Sequence, residues 1–152
     1  MQDINRDGHL DLLAGNLNNI NQIFINNGTA DPFKSVGPVI IEEITAGDIL
    51  ISEDLNNDGT LDLFNTSNND YLQTLISTPI QQTLSGIQSS EISIQTNPTQ
   101  AIAALDMDAD GDIDIISGND SASVPNQLYL NNGTDTPFSG INPLSITSEM
   151  HA

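Results

Sequence analysis

Three nine-residue windows constrain this chain more than anything else in it. They are Asp3-Ile-Asn-Arg-Asp-Gly-His-Leu-Asp11, Asp54-Leu-Asn-Asn-Asp-Gly-Thr-Leu-Asp62 and Asp106-Met-Asp-Ala-Asp-Gly-Asp-Ile-Asp114. All obey D-x-[DN]-x-D-G-x-x-D, and their starts lie 51 (54 − 3) and 52 (106 − 54) residues apart. Similarity at a fixed period of this size marks a repeat architecture, in which each copy builds one supersecondary unit and stacks on the next. Of the 16 Asp, 11 fall inside the windows, so the acidity of the chain is concentrated at three points.

Concentrated carboxylates need a cation. An ordinary turn needs one Asp or Asn, not four, and carboxylates packed together without a counter-charge raise one another's pKa and push the loop open. Oxygen donors at alternating positions suit a hard cation, and calcium takes six to eight of them at about 2.3–2.6 Å. The expected side-chain ligands are Asp3, Asn5, Asp7 and Asp11 in the first window, Asp54, Asn56, Asp58 and Asp62 in the second, and Asp106, Asp108, Asp110 and Asp114 in the third. The backbone carbonyls of His9, Thr60 and Asp112 complete the three sets, and Gly8 lets the first loop fold back. Up to three Ca2+ ions are expected, held tightest by the third loop, which offers four side-chain carboxylates where the others offer three. Magnesium prefers a smaller, stricter octahedron and is expected to substitute poorly.

These windows are not EF-hands. That loop carries an acidic bidentate ligand at position 12 between helices, and position 12 here is Ala14, Asn65 or Ser117, with Gly15 and Gly118 beside two of them. The loops therefore join strands. A core without Trp and with 4% aromatics must come from Ile, Leu, Val and Ala, of which the β-branched residues favour strands. Four strands are expected in the third copy: Ala101–Leu105, Asp112–Ile116, Gln127–Leu130 and one beginning near Phe138.

A second motif recurs. Asn21-Gln-Ile-Phe-Ile-Asn-Asn-Gly-Thr-Ala-Asp-Pro-Phe33 matches Asn126-Gln-Leu-Tyr-Leu-Asn-Asn-Gly-Thr-Asp-Thr-Pro-Phe138, with 11 of 13 positions identical or swapped for a similar apolar or aromatic residue. In the middle copy this stretch, around Tyr71 to Leu84, has decayed. Asn27-Gly28 and Asn132-Gly133 predict a tight hairpin, because both residue types accept a positive φ. The intervening strands are apolar on both faces (Ile23 and Ile25 against Phe24, Leu128 and Leu130 against Tyr129), so each wants cover on both sides. Small sheets stacked face to face supply it.

The Asp loops, the run Ala101-Ile-Ala-Ala-Leu before the third of them, and Asn126-Gln-Leu-Tyr-Leu-Asn-Asn-Gly together resemble the FG-GAP/VCBS repeat family of integrin-alpha-like calcium-binding β-propeller repeats. The resemblance implies an all-β fold of propeller-type blades, here about three four-stranded antiparallel repeats of an incomplete propeller. It further implies calcium in the hairpin between the first two strands of a blade, and extracellular or cell-surface placement in adhesion, recognition or scaffolding. The expected repeats are 1–48, lacking its inner strand, 49–100, with a degenerate second half, and 101–152. Such an array exposes its edges, and the expected occupants are the remaining blades of a longer parent or further copies of the chain.

Other function classes fare worse. A net charge of −19 excludes phosphate-backbone binding, since nothing could displace counterions from a nucleic acid. No run is long enough to span a membrane as a helix. No acid–base constellation surrounds His9 or His151, and there is no Cys, so an enzyme is not expected, although a secreted enzyme could carry such a segment. A carbohydrate-binding propeller is the alternative, with Tyr71 the candidate ligand-binding residue because sugar sites use exposed aromatic faces. The protein or glycan ligand itself is not specified by these motifs.

Overall fold

The computed structural model describes residues 2–16, 21–41, 50–66, 72–77, 89–91, 99–121 and 123–147. Among these residues every regular element is a strand. The first sheet holds β1 (Leu12–Ala14), β2 (Asn21–Phe24) and β3 (Val39–Ile41). The second holds β4 (Leu50–Glu53), β5 (Asp62–Thr66), β6 (Leu72–Leu75) and β7 (Ser89–Glu91). The third holds β8 (Thr99–Leu105), β9 (Asp114–Asn119), β10 (Asn126–Tyr129) and β11 (Leu144–Ile146). Each sheet is an antiparallel meander in chain order, and the array is open, with propeller-type repeats. In the first sheet the place of an inner strand is marked by a single bridge, Gln2 to Asp11.

Register aligns the three copies. Leu12 lies opposite Phe24, Leu63 opposite Leu75, and Ile115 opposite Tyr129. Because strand side chains alternate in direction, each of these pairs sits on one face and the next pair on the other. Leu63 and Leu75 face the first sheet and bury Ile23, with Leu13, Ile4 and Ile25 around them. On the opposite face Phe64 and Leu72 pack with Ile115, Tyr129 and Phe138 of the third repeat. The middle sheet is therefore covered on both sides, and every residue of β5 and β6 is buried. The core is a pair of sheet–sheet interfaces with the middle sheet between them. On the uncovered face of the third sheet, Leu105, Leu144 and Ile146 stay exposed, as does Leu12 on that of the first.

Two expectations about the strands need correction. The fourth strand of the third repeat begins at Leu144, and Phe138 lies in a turn before it. There Phe138 is an apolar anchor, 4% exposed, meeting Phe64 edge-on with ring centroids 6.4 Å apart. Similarly, Asn-Asn-Gly does not close a two-residue hairpin, since residues 25–38 separate β2 from β3 and 130–143 separate β10 from β11. Gly28 and Gly133 do adopt positive φ (70° and 66°). The longer loops are tied internally, Asn27 donating its N–H to the Pro32 carbonyl at 2.9 Å and Asn132 to that of Pro137 at 2.8 Å. A two-residue turn would have left no room for these closures.

Candidate metal centre

The three Asp windows form loops leading into β1, β5 and β9, and their backbones agree. The residue before the fifth position takes a left-handed conformation in each, Arg6 at φ 60°, Asn57 at 56° and Ala109 at 63°, followed two residues later by Gly8, Gly59 and Gly111 at 85–98°. This curl turns successive N–H groups inward onto carboxylates. Asp3 accepts from the amides of Asp7 (3.0 Å) and Gly8 (2.8 Å), and Asp54 from those of Asp58 (3.1 Å) and Gly59 (2.8 Å). Asp106 accepts from Gly111 at 3.1 Å.

The third position separates the loops chemically. Asn5 donates its side-chain amide to Asp7 at 3.0 Å, and Asn56 does the same to Asp58 at 3.2 Å. In the third loop the equivalent residue is Asp108, which as a carboxylate has no N–H to offer Asp110. Its pKa is raised, by desolvation first and then by the charges of Asp110 and Asp114. The Asp7 carboxyl is held below the usual range, chiefly by the Asn5 side chain. Asp58 is lowered too, even though burial pulls upward, because hydrogen bonds from Thr60 and Asn56 and the charge of Arg6 outweigh it. Two loops thus hold themselves together with an amide, and the third faces carboxylate with carboxylate.

It is in this third loop that Asp106, Asp108 and Asp114 bring carboxylate oxygens within 4.8 Å of one another, a group that could hold a metal ion. That spacing fits a shared cation, since oxygens on opposite sides of a calcium ion stand about 5 Å apart. Asp110 stands outside the trio, its Oδ1 accepting the Asp112 amide at 3.0 Å. Among the described residues, Asp3, Asp7 and Asp11 do not reach this spacing, nor do Asp54, Asp58 and Asp62.

The last Asp of each window has a further task that spacing alone did not reveal. Asp11, Asp62 and Asp114 are fully buried. Each accepts two backbone N–H groups, one at the start of its own loop and one beyond the next strand. For Asp11 these are Ile4 and Asn26, both at 2.8 Å. For Asp62 they are Leu55 (2.9 Å) and Ser77 (2.7 Å), and for Asp114, Met107 and Asn131, both at 2.8 Å. A carboxylate has about four lone-pair sites, so accepting two N–H bonds leaves capacity for a cation.

The partner residue answers in kind. Asn26 donates its side-chain amide to the Leu10 carbonyl (3.1 Å), Asn131 to that of Ile113 (3.0 Å), and Ser77 its hydroxyl to that of Leu61 (2.9 Å). The middle repeat has lost Asn-Asn-Gly in sequence, yet Ser77 keeps the same bond. The step from the Asp to its partner is 15 residues for Asp11 to Asn26 and for Asp62 to Ser77 but 17 for Asp114 to Asn131, so spacing did not mark the pairing. Asn131 also reaches across to the Leu55 carbonyl of the preceding repeat at 2.7 Å. His9 is exposed, but its ring lies over Gly28, where a Cβ would fall 2.7 Å from Nε2. Tyr71 and His151 lie outside the described residues, and no described helix is long and apolar enough to cross a membrane.

The family model for FG-GAP-like repeats matches residues 3–65 and, again, 54–117. No curated protein and no solved structure matches the chain.

Proposed function

The chain belongs to the FG-GAP-like repeat family, and from that membership and the geometry of the third loop we propose that it is a calcium-binding propeller-type segment of an extracellular or cell-surface adhesion or recognition protein. One observation carries the reading: three carboxylate oxygens of Asp106, Asp108 and Asp114 converge within 4.8 Å where no side-chain amide relieves them. A cation there would be held by these groups and by Asp110 and the Asp112 carbonyl after small adjustment. It would supply the positive charge that Asn5 and Asn56 partly replace in the other loops. The ligands are hard oxygens only, the donor set of calcium, not of zinc or copper. Extracellular modules bind calcium at about 10⁻⁴–10⁻³ M, which suits exposed loops and a surface placement. The role is structural: each ion fixes the hairpin that joins two strands, so metal binding becomes part of folding, and catalysis is not part of it.

Calorimetric titration of the chelator-treated protein with calcium, paired with thermal unfolding, tests this. Calcium is expected to raise the unfolding temperature, with magnesium much weaker. Asp110→Ala is expected to lose more affinity than Asp58→Ala. A protein that takes up no heat and unfolds identically in calcium and chelator overturns the proposal.

A further inference from the structure

In the first two loops the left-handed residue reaches toward the loop that follows it. Arg6 of the first loop brings Nη2 to 4.0 Å from where a Cβ on Gly59 would stand. Asn57 of the second loop donates from Nδ2 to Asp112 Oδ1 in the third, at 2.6 Å and across 55 residues of sequence. Ala109, in the same position of the third loop, has no polar side chain to extend. The left-handed backbone shared by all three turns this side chain out of its own loop, which its Asp and Asn neighbours fill.

We propose that the side chain at this position sets the cation affinity of the next loop, Arg6 weakening the second and Asn57 supporting the third. The inference rests on the calcium reading above and deepens it. A guanidinium keeps its charge throughout the accessible pH range, and beside Gly59 it sits next to Asp58. An incoming divalent ion must share the Asp58 field with it, and like charges at this range repel. Asn57 works by position. Asp112 supplies the expected carbonyl ligand and its amide binds Asp110 Oδ1 at 3.0 Å, so tethering its side chain holds that turn of the loop in place. The tether also keeps a fifth negative group of that window, the Asp112 carboxylate, drawn toward the second loop.

Amide NMR resolves the loops, with Gly59 reporting on the second and Gly111 on the third during calcium titration of the full chain. Arg6→Gln is expected to tighten the Gly59 midpoint by about threefold at low salt, leaving Gly111 unmoved, and the gain fades at about 1 M salt as screening shortens the field. Arg6→Lys keeps the original midpoint. Asn57→Gly removes the side chain without backbone strain, and is expected to weaken the Gly111 midpoint by about threefold at either salt concentration, since a lost hydrogen bond is worth about that much. Midpoints that stay put, or that shift equally in all loops, overturn this inference alone. Amides that ignore calcium in the unsubstituted protein sink the cation reading and this inference with it.

Discussion

The carboxylate of Asp114 accepts the backbone N–H of Asn131, 17 residues further along, at 2.8 Å, while its other oxygen takes the N–H of Met107. One buried side chain thereby pins the loop before its strand to the loop after the next strand. The same joint is built at Asp11 and Asp62, which makes it a property of the repeat.

Removing that joint exposes two jobs at once. Asp114→Ala leaves two backbone donors without an acceptor, and is expected to cost about 3 kcal/mol. Because the loss comes from backbone anchoring, most of it should persist in excess chelator. Asp110→Ala, by contrast, should cost stability mainly while calcium is present, since without the ion it gives up a single exposed bond from the Asp112 amide. Denaturant melts of both variants with and without the ion check the contrast.

Asp62 should give the metal-free protein a distinctive pH response. Burial pushes its pKa up to about 6, the charges of Asp58 and Asp54 adding to the rise against the pull of the Ser77 and Leu55 amides. A carboxyl that binds its proton more tightly when folded contributes stability below its unfolded value of 3.8 that is lost as pH rises through about 6. In chelator, therefore, this contribution declines between about pH 4 and 7. Asp62→Asn is expected to flatten that part of the profile, as followed by urea midpoints at each pH.

Gly133 and Gly140 offer a matched pair. Both have positive φ, 66° and 72°, yet a Cβ on Gly133 would meet Asp112 Oδ2 at 2.6 Å, and one on Gly140 meets nothing within 4 Å. Gly140→Ala should cost about 1 kcal/mol for the backbone alone. Gly133→Ala should cost about 1 kcal/mol more, because the displaced Asp112 gives up its bond from Asn57. In an Asn57→Gly background that excess should disappear, and a double-mutant cycle measures it.

Phe138 joins the second repeat to the third through its edge-on contact with Phe64. Phe138→Ala is expected to cost about 3–4 kcal/mol, the usual loss for emptying a buried aromatic site. Phe138→Leu should retain most of the stability by filling the volume. If Phe138 were only a loop residue, the two variants would unfold alike in a calorimeter.

Much of the site was legible because its information is local. The Asp and Asn positions and the glycine of each loop all lie within nine residues, the strand begins at the last Asp or directly after it, and three copies in register made the loop pattern hard to mistake. Less legible was Phe138, whose apolar character suited a strand until Phe64 supplied a partner from another repeat. Ser77 escaped notice because the middle repeat kept the bond while changing the residue. A hydroxyl and an amide can donate to the same carbonyl, and sequence similarity does not register that equivalence.

The chain's own order of residues determined that it is a β repeat array with three acidic loops, since period, turn chemistry and apolar strands all act over short stretches. Only the tertiary structure decided what those loops do to one another. The carboxylates of Asp106, Asp108 and Asp114 converge, the last Asp of each window is buried on backbone amides, and Asn57 meets Asp112. Such relationships depend on how sheets stack and how far a loop curls. Those distances are fixed by packing across repeats, and they leave no trace in residue spacing.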